Sequence, residues 1–243
     1  MLWKKEGVLV QVIPVIDLMN GIVVHARKGD RAHYAPIASS LCSGNTAPKI
    51  LAALLELYPF PAIYIADLDA IQKRGHHFDL VMKLLNQHPT LEVWIDAGIQ
   101  SVENLTLWQH PCLRPVLGTE SISDLAAWQQ LQQACLNPPI LSLDFTIDGY
   151  QGPPELLHNT QHWPQDVILM SLPYVGSDNG PDLQRLIHFR TQYPSHRFYA
   201  AGGTRHLADL HMLDKQGIQG ALIASALHNG QLKQAELHNL LAP

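Results

Sequence analysis

Eight short apolar runs, each followed by a stretch whose apolar residues recur at helical spacing, leave this chain very few folds. The runs fall at 8–17, 61–66, 91–95, 115–117, 140–143, 166–170, 198–201 and 221–224. The patterns between and after them predict helices at 46–58, 75–87, 101–109, 123–135, 153–158, 182–192, 204–214 and 231–241. Runs that are apolar nearly throughout suit strands covered on both faces, as in a parallel sheet. Strand alternating with helix is the pattern of a doubly wound sheet or of a closed barrel. Even spacing and the turns after the seventh and eighth runs favour an α/β fold of the (β/α)8 TIM-barrel kind. The 243 residues suit one such domain, 1–243, since a barrel takes roughly 250.

An internal repeat points the same way. The segment from Asp96, DAGIQSVENL, aligns with AGGTRHLADL from Ala201, about 105 residues later. VLGTESI from Val116 aligns with LIASALH from Leu222 at nearly the same offset. VIDLMNG from Val15 resembles SLDFTIDG from Ser142, the extra residues falling in the long loop after the first strand. Two half-barrels of about four strand–helix units each explain all three matches. Each half then supplies one strand-end carboxylate, Asp17 or Asp144.

The strongest binding signal lies at 197–227. Phe198-Tyr199-Ala200-Ala201 stops at Gly202-Gly203, Thr204 is placed to cap the next helix, and Ser225 stands where the following helix begins. Glycines let backbone N–H groups approach a ligand closely, and helix N-termini favour anions. In a β/α barrel the loops after the last two strands form the usual phosphate site. Gly98, Gly118 and Thr119 occupy the matching turns of the first half, so the expected ligand is a small phosphorylated molecule with a phosphate at each end. Asp96 repels phosphate and makes the first-half site the weaker one.

Asp17 and Asp144 end apolar runs on what would be the active-site face of a barrel. Two carboxyl groups in different surroundings can divide acid and base roles, one taking a proton beside a carbonyl or imine and the other protonating a ring oxygen. The plainer alternative is that each caps the loop that follows it. Asp67, with Asp69, either binds ribose hydroxyls or pairs with a neighbouring cation.

The remaining composition mostly excludes. A net charge of -5 argues against a nucleic-acid surface. Cys42, Cys112 and Cys135 lack metal-ligand spacing and read as reduced thiols of a cytoplasmic protein. The fourteen histidines are scattered, so no metal and no cofactor is expected. No apolar run approaches a membrane span or a signal peptide. The polar stretch 31–45 reads as an irregular loop of the kind that often serves as a lid. The expected working form is a monomer or weak homo-oligomer.

Ile13-Pro14-Val15-Ile16-Asp17-Leu18, Gly29-Asp30, Ala66-Asp67-Leu68-Asp69-Ala70, Gly118-Thr119, Leu143-Asp144, Asp178-Asn179-Gly180-Pro181, Ala201-Gly202-Gly203 and Ala226-Leu227 together resemble the histidine-biosynthesis barrel family. That family contains the isomerase of phosphoribosylformimino-aminoimidazole carboxamide ribotide and the cyclase subunit of imidazole glycerol phosphate synthase. The resemblance runs nearly end to end. It implies a duplicated (β/α)8 barrel that binds a ligand with two phosphates. It also implies an isomerase running an Amadori rearrangement with Asp17 as base and Asp144 as acid. The pattern departs from the family's at Gln100 and His25, where the family has arginines, and at Met170-Ser171 and Ala224-Ser225. These departures imply two alternatives: a paralogue acting on another phosphorylated substrate in a specialised cofactor pathway, or a non-catalytic phosphometabolite-binding protein.

Overall fold

A computed structural model of the chain describes residues 10–27, 29–177 and 179–241. Val8 and Leu9 of the first expected strand, Lys28 and Asp178 lie outside these residues. Eight parallel strands close on themselves: Gln11–Met19, Ala62–Asp67, Glu92–Asp96, Leu113–Gly118, Ile140–Thr146, Asp166–Ser171, Arg197–Ala201 and Gly220–Ile223. The closing pair is the first strand with the eighth, Gln11 opposite Gly220 and Pro14 opposite Ile223. Closure removes the sheet edges that an open sheet would leave unpaired.

Side-chain alternation sorts the apolar residues into two layers. Ile63 and Ile65 of the second strand point outward and pack, with helices such as Ala47–Leu57 and Phe78–Gln87, into the large outer core. Tyr64 and Ala66 point inward with Ile13, Trp94, Val116, Ile140, Ile168, Tyr199 and Leu222. Trp94 and Tyr199 meet edge to face at 5.0 Å between ring centroids. The N-terminal mouth carries an ion cluster: the buried Asp166 carboxylate accepts hydrogen bonds from Arg197 at 2.6 Å and Arg114 at 2.8 Å.

The duplication shows in the backbone. The first and fifth barrel strands are each extended by an antiparallel arm, Ile22–His25 and Gly149–Gln151. Asp17 faces Val24 and Asp144 faces Gln151, the same separation along the chain in both halves. The expected helices form, most of them shorter at the ends. Ser101, Asp124 and Asp182 cap theirs by accepting from backbone N–H groups.

Two expectations are corrected. Thr204 is not a cap: the seventh-strand helix is Leu207–Lys215, its cap position is His206, and the Thr204 hydroxyl is buried without a hydrogen-bond partner. The stretch 31–45 is not structureless. Arg31–His33 forms a 3-10 turn, Ala35–Pro36 pairs with the arm at Val24 and His25, and Ser40 N–H donates to the His228 carbonyl. Among the described residues no helix is long and apolar enough to cross a membrane.

Candidate active site

The C-terminal mouth of the barrel holds a cavity of about 360 Å³, within the size range of small-molecule sites. Strand register builds its floor. Asp17, Ala66 and Asp96 lie side by side across the first three strands. Asp144, Met170, Ala201 and Leu222 continue across the last four. Because Asp17, Asp96 and Asp144 each follow an inward-facing residue by two positions, strand alternation turns all three carboxyl groups into the mouth rather than into the outer core.

These carboxyl groups differ in how they are held. Asp144 is fixed on three sides: Ser142 donates to Oδ1 at 2.7 Å, the Glu120 backbone N–H to Oδ2 at 3.0 Å, and the Thr119 hydroxyl to Oδ2 at 3.4 Å. Asp96 accepts from the Tyr64 hydroxyl at 2.9 Å and from the Gly98 N–H at 3.2 Å. Asp17 is 8 % exposed and accepts no hydrogen bond from the described residues. A methyl-sized atom built on Gly118 would lie 3.0 Å from Asp144 Oδ2 and 4.0 Å from Asp96 Oδ2, so these two are near neighbours.

Burial raises all three, and repulsion from a neighbouring acid adds to it in each case. Asp17 is pushed up to about 7 by burial and by Asp96, with Arg31 pulling the other way. Asp144 rises to about 7 through burial, against the Glu120 N–H and Ser142 bonds that favour its charge. Asp96 rises to about 6, burial again outweighing its hydrogen bonds. Arg31 reaches over this end from the turn after the first hairpin and pairs with Glu120 at 2.7 Å.

The opposite wall is built by the second half. Gly202, Gly203, Thr204, Arg205, Ala224 and Ser225 line it, joined by His25 and Arg27 from the hairpin arm. Ser225 Oγ and His25 Nε2 are 2.9 Å apart, tying the arm to the loop after the eighth strand. Both glycines have φ near +90°, and a Cβ on Gly203 would overlap the carbonyl of Gly180.

The sequence-expected residues therefore divide. Asp17, Asp144, Gly202, Gly203 and Ser225 meet at one cavity. The expectation of a first-half phosphate cradle at Gly98, Gly118 and Thr119 is corrected. Gly98 packs on Ile71 and gives its N–H to Asp96, while Gly118 and the fully buried Thr119 underlie and hold Asp144. Asp67 is corrected too: it is fully buried, accepts from the Ala70 N–H and the His77 ring, and turns away from the cavity. Glu120, Tyr64 and Arg31 are residues that sequence reading missed as parts of the site, and Asp96 was read there only as a charge that weakens phosphate binding. The signal for Asp96 was present, since it ends an apolar run just as Asp17 and Asp144 do. Arg31 and Glu120 meet across 89 positions of sequence, which no local pattern reveals.

The family model described as "Histidine biosynthesis protein" matches residues 11–233. An uncharacterised protein of Methanocaldococcus jannaschii is 27 % identical over 235 residues, spanning 94 % of this chain and 98 % of the relative. The 1-(5-phosphoribosyl)-5-((5-phosphoribosylamino)methylideneamino) imidazole-4-carboxamide isomerase of Francisella philomiragia is 25 % identical over 247 residues, spanning 93 % and 98 %. The enzyme of the same description from Thermus thermophilus is 25 % identical over 241 residues, spanning 93 % and 97 %.

Proposed function

The chain belongs to the histidine biosynthesis protein family, and from that premise we propose that it is an isomerase of a phosphoribosyl compound, using Asp17 and Asp144 for an Amadori-type aldose-to-ketose rearrangement. The observation that carries this reading is the contrast between its two carboxyl groups. Asp17 stands buried in the cavity with no hydrogen bond from the described residues, placed to take a proton from substrate. Asp144 is oriented by Ser142, Thr119 and the Glu120 N–H, so that a proton it carries has a fixed direction. Both are raised to about 7, where an acid and a base can coexist at neutral pH.

The step conserves atoms. Asp144 protonates the ring oxygen as the sugar opens to an iminium, Asp17 removes the proton from the adjacent carbon 2, and the resulting enolamine settles as the aminoketose. Nothing else enters or leaves, so the chemistry asks only for placed proton carriers and a site that excludes water. The second-half wall, with Gly202, Gly203, Ser225 and Arg205, is the side that suits a phosphate. An action on a phosphorylated substrate other than that of the named isomerases is favoured by one observation, the acidic groups at the first-half end.

The test is turnover in heavy water, followed by NMR, with a panel of N-substituted 5-phosphoribosylamines. We expect a ketose signal with deuterium entering at carbon 1 of the product, since carbon 2 becomes the carbonyl. The Asp17→Asn variant should lose both by at least about a hundredfold, and Asp144→Asn should lose ring opening while still folding, as judged by circular dichroism. If no member of the panel exchanges or rearranges, or if both variants keep full rates, the acid–base assignment fails.

A further inference from the structure

The cavity is electrically two-ended, and its first-half end is the opposite of a phosphate site. Backbone N–H groups that a phosphate would need there are already taken by carboxylates. Gly98 donates to Asp96 and Glu120 donates to Asp144. Four acidic side chains, Asp17, Asp96, Asp144 and Glu120, line that end, and the cation among them, Arg31, is bound to Glu120. A dianionic phosphate placed here would face like charges at close range in a poorly solvated space. At the other end stand Arg27, which has no carboxylate partner among the described residues, Arg205, whose guanidinium is bound to the buried Asp209, His25 and the buried, unpartnered hydroxyl of Thr204.

We propose that the substrate carries one phosphate, held by the second-half wall, and at its other end a protonated amine held by Asp96 and Asp17 in place of a second phosphate. Asp17 gives an observation independent of the charge count. A carboxyl group 8 % exposed, aimed into a cavity and accepting nothing from the described residues, is an acceptor with room for a donor. An ammonium brings three donors and no acceptor, which fits a cluster of acceptors whose protein donors leave lone pairs unfilled. A cation there also offsets the burial, and the lesser repulsion, that hold these carboxyl groups high. Among the described residues no group of His, Cys, Asp and Glu side chains is placed to hold a metal ion, so the ammonium rather than a divalent cation fits the spacing. The names of the isomerase relatives specify two phosphoribosyl groups, whereas the ligand proposed for this cavity carries one phosphate. The inference rests on the cavity being the substrate site, as proposed above, but not on the reaction run there.

Binding alone tests it, so that its failure and the failure of the isomerase reading remain separate. Calorimetric titrations in EDTA would compare ω-aminoalkyl phosphates of increasing chain length with the matching hydroxyalkyl phosphates and alkane bisphosphates. The best aminoalkyl phosphate should bind at least about tenfold tighter than both its hydroxyalkyl and bisphosphate counterparts. Asp96→Asn, and separately Glu120→Gln, should reduce that preference severalfold while leaving hydroxyalkyl phosphate affinity in place. The second variant alters a half-exposed side chain and guards against a folding failure of the first. A bisphosphate that binds as tightly as the aminoalkyl phosphate overturns the proposal, and so does an aminoalkyl phosphate that fails to bind at millimolar concentration. Loss of turnover with the amine preference intact would instead sink only the isomerase reading.

Discussion

Asp17 shows how burial turns one ordinary residue into a stability term with a definite sign. Its ordinary value is 3.8 and its folded value about 7. Between those two pH values the folded protein holds a proton that the unfolded chain has released, so stability falls as pH rises from about 4 to about 7 and stays low above it. Asp17→Asn removes the group that must charge. It should melt well above the parent at pH 8, by on the order of 3–4 kcal/mol in stability at most, and close to the parent at pH 4. Thermal melts at the two pH values check this; an equal gain at both would mean that charge is not the cause. Asp144 titrates over the same range, but its three protein donors make the neutral amide a poorer mimic there.

Between residue and barrel, the loops after the strands decide which carboxylates serve structure and which face substrate. Asp67 and Asp96 end neighbouring strands, yet their loops treat them differently. The short helix Leu68–Ile71 begins directly at Asp67, which caps it and reaches His77, and these bonds hold its carboxyl below its usual value despite burial. Asp67→Ala removes a cap and leaves the His77 backbone N–H without its partner. It should cost about 2–3 kcal/mol in urea unfolding with little change in phosphate-ligand affinity. Retained stability with lost affinity would return Asp67 to the ligand. The hairpin arm Ile22–His25 does comparable work on the other side, carrying His25 to Ser225 and Arg27 to the cavity.

At the scale of the whole barrel the two mouths are opposites. The C-terminal mouth leaves carboxyl groups facing a cavity, whereas the N-terminal mouth closes the buried Asp166 carboxylate between two arginines and the Tyr199 hydroxyl. Burial would raise Asp166, but Arg197 and Arg114 hold it below its ordinary value. Asp166→Ala would leave the largely buried Arg114 without this carboxylate, while the more exposed Arg197 can turn to water; it should cost about 1–2 kcal/mol, read in chemical denaturation, with ligand binding at the C-terminal site unchanged. If the variant is as stable as the parent, the cluster adds nothing to closure of that end.

The barrel, its half-barrel repeat and the two strand-end carboxylates were legible in the sequence because each is written in local period: apolar runs of strand length, helical spacing between them, and an Asp at the same place in each half. The character of the first-half site was not legible. Gly98, Gly118 and Thr119 occupy the expected turns, but which atom receives an N–H depends on whether a carboxylate from the strand itself or from a neighbouring strand reaches it first. Closing the sheet brings Asp144 over Gly118 and Thr119, and Arg31 to Glu120. Short-range pattern therefore determined where the mouth of this protein lies and which backbone builds it. Only the closed barrel decided the sign of the charge at each end of the cavity, because electrostatic partners are chosen by distance in space.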